Sequence, residues 1–425
     1  MTVTAADPAA PAADVRTGRA VITGLGVVAP NGVGVRDYWA ATLAGTPGIG
    51  RLTRFDPSSY PVQLAGEVTG LEPAEHIPSR LMAQTDRTTQ LSLIAAEQAF
   101  ADAALDPAGL PEYETSVVTA SASGGFEFGQ RELENLWSKG SQYVSAYQSF
   151  AWFYAVNTGQ ISIRHGLRGP SGVLVSDQAG GLDVAAQARR YVRAGRRAVV
   201  TGGVDASLCP WGWAAQLTSG RLSTRPDPDR AYVPFDVEAC GFVPGEGGAI
   251  LLVEDAGTAA QRGAGAYAEI TGYAATFDPR PGSPRQPTLR TAVERALADA
   301  GLTPGDIDVV FADGAGLPEL DRIEVAAITD VFGRYGVPVT VPKTMTGRLY
   351  SGGAALDLAT AALSLRDGVI PPTVNLRHLA PEYAIDVVRQ ARPGRIRNAL
   401  VVSRGYGGFN SAVVLSTPPG SISEH

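Results

Sequence analysis

Short β-branched runs alternate with helical patterns along this chain, and the alternation is completed once and then begun again. In the first 255 residues strand-like runs fall at 20–23, 116–120, 172–176, 198–202 and 249–254. A second series follows at 266–273, 308–312, 337–341, 399–403 and 412–416, with helical patterns at 288–300, 319–332 and 353–366 between them. Apolar strands separated by helices imply sheets buried on both faces, in an α/β fold of two similar halves. The Gly/Ala-rich stretch 256–266 marks the junction, so the halves are expected at 18–255 and 256–425. Residues 1–17, rich in Ala and Pro with neither a basic start nor an apolar stretch, read as a disordered leader and not a signal peptide.

Composition narrows the function classes. Of 425 residues, 44% are hydrophobic and 18% charged, and apolar runs such as 249–253 are far too short to cross a bilayer. A soluble cytoplasmic protein is expected. The net charge is −7 and the 35 basic residues are scattered, which argues against nucleic acid as a partner. Cys209 and Cys240 have no metal-type spacing, so neither a disulfide framework nor a metal site is expected, and no cofactor is implied.

Near the start, residues 20–29 read AVITGLGVVA, and Gly24, Gly26 and Ala29 formally match a dinucleotide fingerprint. The match fails on context. A Rossmann helix must begin at that turn, whereas Pro30, Asn31 and Gly32 prolong a loop, and no acidic residue ends a strand about 20 residues on.

Residues 169–188, GPSGVLVSDQAGGLDVAAQA, combine a β-rich run, a small-residue turn and a helix. That is the geometry of a nucleophile elbow, in which a side chain stands at a helix N-terminus. Here the side chain is Gln178, and an amide is not a nucleophile. From the residues alone an ordinary strand-to-helix turn is the favoured reading of the stretch.

Three further segments change that balance: VITGLGVVAPNGVG near the start, FDVEACGFVPGEGGAILLVED ending at Asp255, and SRGYGGFNSAVV from Ser403. In this order they resemble β-ketoacyl synthases, which implies the thiolase-like fold, two α/β halves in a layered αβαβα arrangement. The resemblance places Gln178 at the catalytic cysteine. It places Asp313, in VFADGAGLPELD, at one catalytic histidine, and Arg348, after KTMTG, at the other. Decarboxylative condensation relies on neutral imidazoles donating to a developing enolate, and a carboxylate at 313 is expected to repel that charge. No condensing activity is expected from the chain alone.

The stretches DQAGGLD, SGGFEFGQRELENLW, SFAWFYAVNTGQISIRHG and KTMTGRLYSGGA are similar to the chain-length factors, or β-ketosynthase-like subunits, of type II aromatic polyketide synthases. That resemblance implies a heterodimer with an active ketosynthase, an acyl carrier protein as donor, and a poly-β-keto chain lying in a tunnel near the interface. Residues 124–138 read as a helix with Ser123 as its N-cap, on which Phe126, Gly129, Leu133 and Trp137 share one stripe. By periodicity the stripe is an ordinary core face; the resemblance assigns Phe126, Gly129 and Leu133 to the tunnel and predicts a relatively long product. An alternative role is malonyl-carrier-protein decarboxylation through the Gln178 amide. Acylation at Ser176 is disfavoured because no base is matched to it.

Lys343 and Asp321 both match ketosynthase positions and are expected to form a buried ion pair. Glu246, His76, His165 and His378 read as structural, Cys209 and Cys240 as small core residues, and the aromatic run 150–154 as interface or core.

Overall fold

The computed structural model describes residues 18–280 and 282–418, so the leader expected over residues 1–17 lies outside the described residues. Ten strands carry the architecture. The first half supplies β1 (Ala20–Ala29), β2 (Thr115–Ala120), β3 (Ser171–Leu174), β4 (Ala198–Asp205) and β5 (Gly247–Asp255). The second supplies β6 (Ala268–Phe277), β7 (Val309–Phe311), β8 (Pro338–Thr340), β9 (Asn398–Arg404) and β10 (Phe409–Ser416).

In space the first set runs β1-β5-β4-β2-β3 and the second β6-β10-β9-β7-β8. Both orders are first, fifth, fourth, second, third. The directions agree as well: β2 is parallel to β3 and β4, and β5 antiparallel to β4 and β1. In the second set β7 is parallel to β8 and β9, and β10 antiparallel to β9 and β6. The sets meet where Val21 and Ile22 of β1 pair with Glu269 and Ala268 of β6, which makes one continuous sheet.

Eight helices matter here: α1 (Arg87–Asp102), α2 (Phe126–Lys139), α3 (Val156–His165), α4 (Gly180–Arg193), α5 (Pro210–Leu217), α6 (Leu289–Ala300), α7 (Pro318–Phe332) and α8 (Ser351–Asp367). The buried side chains sort into layers because neighbouring residues of a strand face opposite ways. Val199 and Val253 pack with α4 and α8 in a central core that also takes Val309, Val401 and Val413 from the second set. Val200 and Leu252 face the other way, against α1 and α3. Val310, Leu400 and Val414 pack against α6 and α7. Helix, sheet, helix pair, sheet, helix is the αβαβα order.

The central pair explains its own composition. Every residue of α8 from Ser351 to Leu365 is buried, as expected of a helix that is apolar or small on all sides apart from Asp357. Each fully buried Leu there contributes about 1.5–3 kcal/mol. A Cβ at Gly181 of α4 would stand 2.5 Å from the Ala355 nitrogen and 2.6 Å from the Ser351 carbonyl of α8, so a glycine is what lets the helices cross this closely. The fingerprint-like glycines have the same cause. Gly24 and Gly26 lie inside β1, where a Cβ would strike the carbonyls of Ala99 and Ala95 on α1.

Candidate functional site

The turn between β3 and α4 is strained where the sequence pattern places the elbow. Asp177 has φ +52°, a left-handed conformation uncommon for a residue with a side chain. Its carboxylate accepts the Tyr406 backbone N–H at 2.6 Å, and its carbonyl accepts the Ser351 hydroxyl at 2.9 Å. One 3₁₀ turn then leads into α4 with Gln178 at its tip. The Gln178 carbonyl accepts the Ser403 hydroxyl at 3.0 Å. Its side chain, only 6% exposed, borders a cavity of about 1150 Å³ and makes no hydrogen bond with a described residue. The preceding hydroxyl, Ser176, donates to Asp183, a carboxylate that also accepts from Tyr273 and Ser411.

Asp313 and Arg348 meet each other. The Arg348 guanidinium donates to both carboxylate oxygens of Asp313, at 2.9 and 3.1 Å, and to its carbonyl at 2.8 Å. Both residues are buried. Burial alone would raise the Asp313 carboxyl, but Arg348 and, beyond it, Lys343 hold it below the usual carboxylate range. The expectation that Asp313 presents a free repelling charge is therefore corrected: its charge is neutralised within a two-pronged pair. That pair also leaves no neutral donor of the imidazole kind at either position.

The expected pair of Lys343 with Asp321 does not form. Lys343 bonds Asp357 of α8 at 2.6 Å and the Ala312 carbonyl at 2.8 Å. Asp321, in the first turn of α7, instead accepts the backbone N–H groups of Phe235 and Gly316, both at 2.9 Å. One turn on, Glu324 accepts the N–H groups of Asp313 and Gly314 at 2.6 and 2.8 Å. With backbone donors but no cation in contact, burial pushes both carboxyls up to about 7. Sequence spacing could not separate Asp321 from Asp357, because the choice depends on α8 packing beneath the Lys343 turn.

Ser123 is not the cap of α2. The helix begins after Gly125 without a side-chain cap, and Asp86 serves instead, accepting the Phe128 N–H at 2.8 Å while also capping α1. Ser123 is drawn 3.3 Å from the Asp205 carboxylate. The stripe on α2 is no ordinary core face. Phe126 borders the Gln178 cavity, whereas Leu133 and Trp137 border a separate open groove of about 710 Å³, and Trp137 is 83% exposed. Between groove and cavity stands Trp211 of α5, whose ring meets Phe126 edge-on at 4.8 Å. A Cβ at Gly129 would approach the Trp211 ring to 3.0 Å, so Gly129 accommodates that tryptophan. Sequence reading missed Trp211, since nothing local links α5 to α2.

Among the other residues weighed, Glu246 is buried on Arg87 at 2.6 Å, a structural pair. His165 packs 4.7 Å from Phe100, and burial lowers its pKa. Cys209 is buried, but Cys240 is exposed, which corrects the reading of both as core. Trp152, Phe153 and Tyr154 are exposed.

The chain matches the family models of the β-ketoacyl synthase N-terminal domain over residues 18–259 and C-terminal domain over residues 267–377. It belongs to the β-ketoacyl synthase family. Within that family it is 59% identical to a β-ketoacyl synthase 2 of the actinorhodin polyketide in Streptomyces coelicolor, over 93% of this chain and 98% of that one. It is 58% identical to the tetracenomycin polyketide synthase ketoacyl synthase beta subunit of Streptomyces glaucescens, over 93% and 97%. The solved ishigamide ketosynthase/chain length factor superposes with a TM-score of 0.86 at 29% identity, covering 94% of this chain and 99% of that one. The chain is thus a β-ketoacyl synthase of the polyketide beta-subunit type, in which glutamine, aspartate and arginine stand where the sequence resemblance expects cysteine and two histidines. No described helix is long and apolar enough to cross a membrane.

Proposed function

We propose that this subunit does not condense acyl groups and instead pairs with an active ketosynthase, receives its poly-β-keto chain from a carrier-protein-fed reaction, and sets that chain's length in the cytoplasm. The observation that carries the first part is the Asp313–Arg348 pair: with Gln178 at the elbow, the site holds neither nucleophile nor imidazole, and its two replacement groups satisfy one another. In support of the pairing, β3 is an open sheet edge among the described residues, and exposed Val175, just after it, and exposed Ile163, on α3 which packs against it, add apolar surface. In support of length setting, Phe126, Gly129 and Leu133 border or shape the groove and cavity on either side of Trp211. A relatively long product fits a helix that carries glycine at 129. The solved complex of a type II polyketide synthase acyl-carrier protein with its ketosynthase bound to a hexaketide, similar to this chain at 26% identity and a TM-score of 0.84, supports the same reading.

The test is Gly129→Phe assembled with the native ketosynthase. Shorter products by mass spectrometry are expected, and an unchanged length distribution removes the length-setting role. The unpartnered Gln178 amide favours one second reading, decarboxylation of malonyl-carrier protein to supply the starter. It requires Gln178→Ala to lose carbon dioxide release beyond any loss of assembly.

A further inference from the structure

The open groove and the Gln178 cavity lie on opposite sides of one aromatic contact. Trp211 borders the groove, Phe126 borders the cavity, and their rings meet at 4.8 Å. Those two rings are the side chains that meet between the two spaces. The groove is open, as an entry from a partner surface requires. The cavity on the other side of that contact is larger than the roughly 300–1,000 Å³ of pockets that enclose a drug-sized ligand.

Two polar side chains, the buried Gln178 and the half-buried Tyr350, border that cavity without a protein partner. Tyr350 is held there by a strained backbone, φ +53°, immediately before α8. Strain and unpaired polar groups at one place are features the fold retains only where something else offsets them. The neighbouring charges are otherwise engaged: Arg348 is committed to Asp313, Arg404 lies 3.3 Å from Asp278, and the Asp177 carboxylate, which borders the same space, accepts the Tyr406 N–H. The deep wall therefore offers neutral donors beside apolar surface, including Phe126 and Phe242.

We propose that this cavity is the far compartment for the growing chain: once the chain outgrows the groove, its leading end passes between Phe126 and Trp211, and its ketone oxygens accept hydrogen bonds from Gln178 and Tyr350. This rests on the length-setting reading above. No bond is made or broken in the compartment; it holds an uncharged, carbonyl-rich chain. On its solvent side the cavity is bordered by Arg221, stacked 4.6 Å from the Tyr406 ring, and by Arg280 and Arg285. These charges surround the mouth and not the deep wall.

The experiment uses the assembled heterodimer with carrier protein and malonyl donor, and reads product lengths by mass spectrometry beside total malonyl consumption. Gln178→Leu combined with Tyr350→Phe removes both donors at nearly constant volume. The expected result is a several-fold drop in the share of the longest products among all products formed. Ala122→Phe, which fills the cavity beside Phe126, is expected to shift the distribution the same way. Thermal melting and co-purification of each variant confirm assembly, and either variant alone suffices if the other does not assemble. An unchanged distribution in both, while Gly129→Phe shortens the products, overturns the compartment and leaves the length-setting reading standing. If Gly129→Phe also changes nothing, both fall. A loss of carbon dioxide release without a change in length assigns Gln178 to decarboxylation and likewise overturns the compartment.

Discussion

The two central helices begin in the same way and serve different ends. Ahead of α4 the chain turns through Asp177 at φ +52°, and ahead of α8 through Tyr350 at φ +53°. Each turn follows the third strand of its half, so the two are counterparts under the repeated strand order. The residues after the turns differ. Ser351 is fully buried and tied down, its hydroxyl on the Asp177 carbonyl and its N–H on Asp205. Gln178 instead leaves its amide free at the cavity. The second elbow has become a joint that holds the halves together, while the first still presents a side chain to a space. Backbone strain at a turn therefore does not mark chemistry by itself; what the exposed side chain can do decides it.

The comparison is broken most severely from the second elbow. Arg348→Met leaves Asp313 buried and uncompensated and is expected to cost about 3–5 kcal/mol in a denaturant melt. Replacing Asp313 and Arg348 together by Leu and Met should cost clearly less, and equal losses would show that the pair is not the cause. A smaller effect is expected where the elbows touch: Gly181→Ala forces a methyl into the α8 backbone and should cost about 1–3 kcal/mol. A melt indistinguishable from the parent would mean that the crossing is not as close as described.

The α7 carboxyls that hold the Asp313 loop sharpen the contrast through pH. Asp321 and Glu324, raised to about 7 in the fold, bind protons there that the unfolded chain has released above about pH 4. Stability should fall as pH rises from about 4 through 7 on their account, because the native state holds more protons over that window. Asp321→Asn should flatten part of that slope in melts taken across the range. The last prediction is a null. Gln178→Cys restores a thiol at the first elbow, yet the chain alone should show no β-ketoacyl formation while Asp313 and Arg348 remain paired. Measurable condensation by this variant would mean that the missing histidines are dispensable.

Much of the architecture was legible because it is local. Strands β1 to β10 lie within a few residues of the apolar runs that announce them, since burial on both faces demands such runs. The boundaries drifted most at β1, which continues to Ala29 through the two glycines that suggested a phosphate loop. Glycine here answers a packing need in α1, information that β1 does not contain.

The sequence by itself determined the layered fold and the absence of a nucleophile at residue 178, because strand and helix periodicity and side-chain chemistry are properties of neighbours along the chain. Tertiary structure alone decided the partners of the buried charges. Lys343 chose Asp357 over Asp321, Asp313 closed on Arg348, and Asp86 displaced Ser123 as the cap of α2. It also placed Trp211 against Phe126 and Gly129. A buried charge takes whichever opposite charge or donor the packing brings within hydrogen-bond reach, and that distance is set by how helices from distant parts of the chain stack, which no spacing in the sequence records.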